Sequence, residues 1–455
     1  MSDTDIPSVP PPALDEDCPL PVAAQRWNML CFAGVWCLYY LSAPIVYVGI
    51  KQGNLARRIG YSNEDANLPL AWYSWMMGVP VLVAWLLPNP RYLKPLVVTA
   101  LLCIASVTSV IPVAIALKAS PEMLFRSLLI HGAVLGAANG VAITSMWEMI
   151  RRGVSTSRRG AMLGLTFGIG PVMACTSTVV QQALLDKIPW FNFSFGTSYP
   201  ESYLWLFGLT VPLIALCAGL ASSFRLPKVD ETQTAQTQWS VAGLRDFFTT
   251  PALILAAVAY LLVYSGGANI GVNVSLNAKL VVTDIEDSQG IQQFLRFGLK
   301  AVAGVFLGWL LAKTNPRMPL IATTLILMSG LAWVLGAEGS AYLFAFGILG
   351  AGELFGAYFP NYITTASPKH LVRSNMAYLN VLGSLVGFSS VLYGKIAGVS
   401  PDGKSASPEG LRMSFLVAEG ILLAGLLLVM FGLPHRPIPA ETAATDGSLD
   451  SGDSR

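Results

Sequence analysis

The chain has 455 residues, of which 54% are hydrophobic and only 12% are charged, and its net charge is +2. Soluble domains carry about 25% charged residues, so this composition excludes a soluble globular, disordered or fibrous protein. The small net charge gives no indication of nucleic acid or another strongly acidic partner. The apolar residues are grouped in runs of about 20, the length of a membrane-crossing helix. The sequence therefore predicts an all-α polytopic membrane protein.

Twelve apolar runs are predicted to be membrane spans. In hydrocarbon a helix satisfies its own backbone hydrogen bonds, which excludes open sheets. The predicted limits are 28–50, 68–87, 95–117, 122–150, 160–185, 202–224, 251–275, 291–312, 318–338, 341–366, 375–398 and 412–433. The flanking segments 1–27 and 434–455 are predicted to be disordered tails.

The distribution of lysine and arginine predicts the orientation in the membrane. With both termini inside, sixteen of the 28 basic residues lie in inner loops, nine in outer loops and three within spans. Cytoplasmic loops carry the excess of basic residues, so we expect a multi-pass protein of the cytoplasmic (inner) membrane with both termini in the cytoplasm. The polar stretch 225–250 is predicted to be a cytoplasmic linker with a short amphipathic helix near Trp239–Phe248.

The second half of the chain repeats the first. Residues 85–102 and 309–326 are identical at seven of eighteen positions without a gap, at an offset of 224. An offset of 214 pairs residues 135–137 (Leu-Gly-Ala) with residues 349–351. Because each copy contains six spans, an even number, both copies have the same orientation. Chance similarity between leucine-rich helices is the alternative explanation.

Twelve spans in two parallel halves, with inner termini and a polar central loop, resemble the major facilitator superfamily. That family places a glycine, an acidic residue and several basic residues in the inner loops after spans 2 and 8. Here the stretch from Gly308 to Arg317 keeps the glycine and the basic residues but has Ala312 where the family has aspartate. The resemblance implies two six-helix bundles, 28–224 and 251–433, and a secondary transporter that works by alternating access.

Charged residues near the inner surface are the candidates for gating. Arg158-Arg159-Gly160 opens span 5, which looks like the glycine- and proline-rich helix of the same family, and Arg159 pairs with Arg373 at the 214 offset. Arg317 precedes span 9, and Glu148 lies near the inner end of span 4. We predict that these residues, Glu148, Arg159, Arg317 and Arg373, form gates or surface ion pairs.

Ionisable residues deep in spans are the strongest candidates for a site, because an unpaired charge there costs about 2.5–3.5 kcal/mol. Lys300 lies near the middle of span 8, with Arg296 one turn away on the same face. Glu353 lies near the middle of span 10 and corresponds to Asn139 at the 214 offset, and Pro360 is predicted to weaken the helix beside it. We predict that Lys300, Glu353 and Asn139 bind substrate and that Glu353 couples transport to protons. A Glu353–Lys300 pair that only fixes helix packing is the alternative.

Amide side chains are further candidates. Asn269, Asn273 and Asn277 are four residues apart in span 7 and share one helix face. The first two are predicted to bind substrate, and hydrogen bonds between helices are the alternative. His131 is a candidate for proton coupling because imidazole titrates near neutrality, although a structural hydrogen bond is the simpler interpretation. The remaining predicted substrate contacts are Tyr40, Gln181 and Asn380.

No metal site, cofactor or disulfide framework is expected from the sequence. No CxxC or HExxH spacing occurs, and the cysteines lie in apolar runs or in the N-terminal tail. Residues 398–405 match the phosphate-loop pattern. They follow a membrane span, contain Pro401 and are predicted to lie outside, so we interpret them as a turn.

The sequence predicts secondary active transport of a small polar or amphiphilic organic solute, such as a sugar, nucleoside or peptide fragment. Proton coupling is expected, and the predicted protein is a monomer in a lipid bilayer that binds no nucleic acid and is not an enzyme. A membrane-embedded enzyme or lipid-handling protein without ion coupling is the alternative, but no loop between spans holds a cluster of catalytic residue types. A channel is a third possibility, but channels usually contain re-entrant loops or symmetric subunits, and the sequence shows neither.

Overall fold

The computed structural model describes residues 18–48, 50–61, 65, 68–185, 193–228, 241–267, 270–282, 285–368, 371–397 and 407–437. The regular elements of this described part are helices. The predicted tails beyond it, residues 229–240 of the central linker, Asn269 and the phosphate-loop-like turn lie outside the described residues.

The first half of the chain forms nine described helices, some of them short. In chain order they are α1 (Val22–Leu41), α2 (Ala43–Val46), α3 (Ile50–Arg58), α4 (Leu68–Met76), α5 (Pro80–Leu86), α6 (Leu93–Ala116), α7 (Pro121–Gly153), α8 (Thr156–Leu185) and α9 (Glu201–Ser222).

The second half begins with a short helix in the predicted linker, close to the position expected from the sequence. Its described helices are α10 (Val241–Thr249), α11 (Pro251–Gly267), α12 (Gly271–Val281), α13 (Ile285–Lys313), α14 (Met318–Gly336), α15 (Phe344–Gly352), α16 (Phe355–Ala366), α17 (Val372–Leu385), α18 (Gly387–Ala397) and α19 (Pro408–Leu427).

Nine helical stretches of the described residues are long and apolar enough to cross a membrane, counting α4 with α5 and α15 with α16 as single stretches. The other three predicted spans, 28–50, 251–275 and 375–398, coincide with the shorter pairs α1–α2, α11–α12 and α17–α18. Three predicted boundaries differ from the structure by six residues. Helix α1 begins inside the predicted tail, α12 ends after the predicted end at 275, and α13 begins before the predicted start at 291. These helices continue past the apolar segment that hydropathy detects.

Several helices are interrupted near the middle of a predicted span. The chain turns at Ser42 before α2, between α4 and α5, at Glu353 and Leu354 between α15 and α16, and at Val386 between α17 and α18. Pro44 and Pro80 lie in the first turn after two of these breaks, where a missing N–H is tolerated. Pro360 lies within α16 instead, so the break in span 10 precedes it, at Glu353 itself. Broken backbone in a membrane is tolerated where it is buried in protein or lines a cavity.

Glycines bring helices into contact at equivalent places in the two halves. A Cβ on Gly136 of α7 would meet the backbone of Tyr73 in α4, and one on Gly350 of α15 would meet the backbone of Arg296 in α13. The 214 offset pairs the two glycines, and the 224 offset pairs Tyr73 with Phe297, the neighbour of Arg296. The repeat seen in the sequence therefore has a matching packing contact in the structure.

The two halves contact each other along α8 and α13. Gly164 lies against Gly308, and the Cβ position of Gly304 is occupied by the carbonyl of Phe167. The glycine of the family-like motif therefore permits close helix packing between the halves. Large apolar side chains on the outer faces are exposed, including Leu216, Val302 and Phe431, as expected for surfaces that face lipid.

Candidate functional site

A cluster of three charged side chains lies where α13 meets the broken helix α15–α16. Arg296 Nη2 donates to Glu353 Oε1 at 2.5 Å, and Arg296 Nε donates to Oε2 at 3.3 Å. Lys300 Nζ donates to the same Oε2 at 2.5 Å. Arg296 and Lys300 are four residues apart and therefore share the face of α13 that meets Glu353. We call Arg296, Lys300 and Glu353 the ion triad.

The three charged side chains of the ion triad lie close together because the backbones of α13 and α15 pack closely. Gly350 brings α15 against the backbone of Arg296, and Glu353 follows three residues later at the helix break. The side chain of Lys300 is 8% exposed, that of Glu353 21% and that of Arg296 42%. Exposure is therefore lowest at Lys300 and highest at Arg296, so Arg296 lies at the open side of the cluster.

Aromatic rings from both halves surround the ion triad. Lys300 Nζ lies 5.4 Å from the centroid of the Phe297 ring, and Tyr40 of α1 meets the same ring edge-on at 6.4 Å. Tyr47, which follows α2, lies 6.4 Å from Tyr40. Tyr264 of α11 packs at 5.5 Å on Phe355, which lies two residues after Glu353. Rings from both halves therefore lie near the charged groups.

The position equivalent to Glu353 in the first half holds a neutral network. Tyr39 of α1 donates from its hydroxyl to Asn139 Oδ1 at 2.8 Å, and Asn139 Nδ2 donates to the Tyr73 hydroxyl oxygen at 2.8 Å. Asn139 is buried, and Tyr73 is partly exposed. Both ends of the amide are thus held by phenols from neighbouring helices.

A second ion cluster joins the halves at the predicted cytoplasmic end. Glu148 Oε1 accepts from Arg152 Nε at 2.9 Å, and Glu148 Oε2 lies 3.3 Å from Arg373 Nε in the other half. Arg373 Nη2 also donates to the carbonyl of Pro88 at 2.5 Å. Glu148 and Arg373 are both buried, so the charges are shielded from solvent and their interaction is strengthened.

Two further hydrogen bonds join the halves at this end. Trp85 Nε1 donates to the Tyr378 hydroxyl at 3.0 Å. Arg159 Nη1 donates to Thr365 Oγ1 at 3.2 Å, while its Nε and Nη2 donate to the carbonyl of Val154 at 3.3 Å. Together with the Glu148–Arg373 pair, these contacts hold the predicted cytoplasmic ends of the two halves together.

Several solved structures have a fold similar to that of this chain. The major facilitator superfamily transporter FucP, in the outward conformation, has a TM-score of 0.68 at 14% identity over 90% of this chain and 100% of that chain. A variant of the E. coli fucose:proton symporter FucP has a TM-score of 0.67 at 14% identity over 90% and 98%. The human organic anion transporter MFSD10 (TETRAN) has a TM-score of 0.61 at 12% identity over 90% and 100%. This chain has the major facilitator superfamily fold.

These structural neighbours of the major facilitator fold are transporters. At such low identity the similarity shows a shared fold and does not indicate a shared substrate. No family model and no curated protein sequence matches the chain.

Three other predicted site residues make no hydrogen bond with the ion triad in the described part of this major facilitator fold. Asn273 is buried and donates to the carbonyl of Tyr393 and to Ser414 Oγ, at 3.2 and 2.8 Å, within the second half. Gln181 is buried in α8. Asn380 in α17 has a buried amide nitrogen without a hydrogen-bond partner among the described residues. Asn380 thus keeps a free donor, whereas Asn273 is already satisfied.

His131 and Arg317 are also placed within single halves. His131 is fully buried, lies 3.3 Å from Thr108 Oγ1 and meets the Phe207 ring at 5.7 Å. Arg317 donates from Nη1 to the carbonyls of Met430 and Leu433 at 2.9 Å, at the end of the last helix. These contacts are structural in kind, and the roles in proton coupling and gating stay predictions.

The candidate list from the sequence left out residues that the structure makes prominent. Arg296 was noted only as a neighbour of Lys300, yet it makes two of the three hydrogen bonds to Glu353. Tyr73 was not considered, although the repeat pairs it with Phe297. Glu419 of α19 was also missed: its buried Oε2 has no hydrogen-bond partner among the described residues. A lone carboxylate in an apolar run was the signal available for Glu419.

Proposed function

We propose that this protein is a secondary active transporter that moves a small polar or amphiphilic organic solute by alternating access. In this proposal the chain crosses the cytoplasmic membrane twelve times as a monomer, with both termini inside. The three interrupted helix pairs α1–α2, α11–α12 and α17–α18 supply the crossings beyond the nine long stretches. Interrupted helices at mid-depth are typical of transporter substrate sites.

One observation carries this proposal: the ion triad lies where α13 meets a broken helix, near aromatic rings from both halves. Charged groups at mid-depth cost about 2.5–3.5 kcal/mol each unless they are paired or face a watery cavity. Here they are paired, and Arg296 is still 42% exposed. A purely structural ion pair has no need of that opening, whereas a substrate site does.

The proposed binding site contains the ion triad, Asn139, Tyr40 and Asn380. Tyr40 meets Phe297 across the two halves, and Asn380 has a free donor. The hydrogen-bond partners of Asn273, Tyr393 and Ser414, are themselves buried, whereas Asn139 bonds to the partly exposed Tyr73. We therefore assign Asn273 and the buried Gln181 to helix packing around the site.

The proposed gate is the Glu148–Arg373 cluster with its neighbour Arg159. These contacts close the predicted cytoplasmic end of the described structure, which supports an outward-facing state. Opening to the cytoplasm would require Arg373 to leave both Glu148 and the Pro88 carbonyl. Both groups are buried, where the low local dielectric strengthens their attraction, so the pair favours the closed gate when no solute is bound.

Proton coupling is proposed to act through Glu353. Two cations favour the charged carboxylate, so Glu353 would take up a proton when rearrangement or solute separates it from Arg296 and Lys300. We expect Glu353→Gln to abolish pH-driven accumulation in vesicles while solute exchange survives. An unchanged pH profile in that variant would remove Glu353 from coupling.

The proposed function is tested by thermal-shift screening of the purified protein against sugars, nucleosides, dipeptides and organic acids, followed by counterflow in proteoliposomes. Saturable counterflow of a stabilising compound supports a carrier. Unsaturated flux indicates a channel, and covalent conversion of the compound indicates a membrane enzyme. Either of these results contradicts the proposal.

The gate is tested by exchanging its charges. We expect Arg373→Glu to reduce counterflow strongly, because it places two carboxylates together, and we expect Glu148→Arg combined with Arg373→Glu to recover part of the rate. Arg126→Glu, which disrupts the exposed Glu122–Arg126 pair, is the control and should have little effect. Equal rates in the single and double variants would exclude the pair from gating.

A further inference from the structure

We propose that the transported solute carries an anionic group, a carboxylate, which binds at the open edge of Arg296 in the ion triad. This inference rests on the proposed transport function and narrows it from polar solutes in general to small organic acids.

The first support is the charge of the cluster. Two cations, Arg296 and Lys300, share one carboxylate, Glu353, so the ion triad has a net charge of +1. Among the described side chains, no other carboxylate pairs with either cation. Glu148 is held by Arg152 and Arg373 at the cytoplasmic end. One positive charge at mid-depth therefore remains uncompensated by the protein.

The second support is the geometry of the donors. Arg296 uses Nε and Nη2 on Glu353, while Nη1 has no hydrogen-bond partner among the described residues. Its side chain is 42% exposed, whereas Lys300 is almost fully buried. A guanidinium presents planar pairs of N–H groups that match a carboxylate. The unused edge of Arg296 is thus a ready donor on the open side of the cluster.

The third support is the surroundings of that edge. Tyr40, Tyr47 and Phe297 form an aromatic wall beside the cations, and an apolar or ring-shaped body attached to a carboxylate fits against such a wall. A neutral solute would leave the excess positive charge uncompensated throughout the transport cycle. An uncompensated charge in the membrane interior has a free-energy cost. An anion compensates the charge as it binds.

The test compares carboxylates with neutral analogues of the same shape on the full-length protein. The probes are phenylacetate against phenylacetamide and galacturonate against galactose, in thermal-shift and counterflow assays. We expect at least one carboxylate to bind about tenfold to a hundredfold more tightly than its neutral partner. We expect Arg296→Gln to remove that preference, because the remaining Lys300–Glu353 pair is neutral, while Arg126→Gln at the exposed pair leaves it unchanged.

Arg296→Lys separates charge from shape: it should keep part of the preference, because the positive charge remains but the planar fork is lost. Saturable counterflow of the neutral analogues without any preference for carboxylates would overturn the anion inference and leave the transporter intact. A preference that persists in a folded Arg296→Gln protein would also overturn it. If none of the four probes exchanges saturably, and no compound of the wider panel does, the proposed function fails together with the inference.

Discussion

The two halves use the same backbone contact to build different centres. Gly136 and Gly350 occupy equivalent repeat positions, and each brings its helix against a neighbour, at Tyr73 and at Arg296. Three residues further on, the first half has Asn139 and the second has Glu353.

The electrostatic difference between the halves lies in these two residues and their partners. Asn139 is held by two phenols, and Glu353 by two cations. The packing of the repeat is therefore retained while its polar residues differ. In the proposed transporter, the first half would supply neutral hydrogen-bonding groups to the site and the second half charged groups. Variants that change one centre at a time test this difference.

The largest effect is expected from Glu353→Gln, because it leaves Arg296 and Lys300 adjacent without a counter-charge. Removing one partner of a buried ion pair costs about 3–5 kcal/mol, so the thermal unfolding temperature in detergent should fall by several degrees.

The double variant Glu353→Gln with Lys300→Met restores the net charge of the cluster to +1. It should recover much of the lost stability, measured by the same melting experiment. If the single and double variants both melt like the wild type, the ion triad contributes nothing to stability, and the contrast between the two centres is only geometric.

The next effect concerns the backbone contact that the halves share. A Cβ added at position 136 would lie 2.9 Å from the Tyr73 Cα. A Cβ added at position 350 would lie 2.5 Å from the carbonyl oxygen of Arg296. Gly136→Ala and Gly350→Ala should each destabilise the protein by about 1–3 kcal/mol through overpacking.

The control for the glycine variants is Gly208→Ala in α9, where the added methyl meets nothing within 4 Å. There the greater helix propensity of alanine should give no loss or a small gain. A large loss at only one of positions 136 and 350 would show that the two contacts are not equivalent.

A smaller effect is expected in the neutral centre. Asn139→Leu removes both hydrogen bonds to Tyr39 and Tyr73, and the net loss is about 1 kcal/mol for each bond. Tyr39→Phe and Tyr73→Phe should each lose about half as much, as measured by thermal unfolding. If Asn139→Leu destabilises the protein as much as Glu353→Gln does, the proposed difference between a neutral and a charged centre is wrong.

Sequence patterns predicted much of the fold. Hydrophobic runs of membrane length predicted the helical class and the nine long apolar stretches of the described residues. Short identities at fixed offsets predicted the repeat, which has a matching glycine contact in each half. The contact of Glu353 with Lys300 followed from the cost of a lone charge in hydrocarbon. The sequence alone does not predict that Arg296 binds Glu353. It shows Arg296 only as a second cation four residues from Lys300, and the position of Glu353 relative to both is known only from the structure.

Contacts between distant helices could not be predicted from the sequence. The hydrogen bond from Arg373 to the Pro88 carbonyl joins residues 285 positions apart, and no periodicity encodes such a pairing. The polar stripe of span 7 is a second example. Asn273 shares a face of α12 with Asn277, and its amide donates to Ser414 and to the carbonyl of Tyr393 in neighbouring helices. The spacing of the amides does not predict these partners. Which face of a broken helix lines the site depends on tertiary packing.

The smallest effect is expected at Glu419, a span carboxylate with a buried, unpaired Oε2 among the described residues. Because no hydrogen bond is lost and glutamine carries no charge that the span must accommodate, Glu419→Gln should cause no loss of stability and leave counterflow unchanged. Comparison of this variant with Glu353→Gln shows whether stability and counterflow depend on the pairing of a carboxylate or only on its presence in a span. Loss of pH-driven accumulation in Glu419→Gln would move proton coupling away from the ion triad to the last helix. The charged centre of the second half would then bind solute without handling the proton.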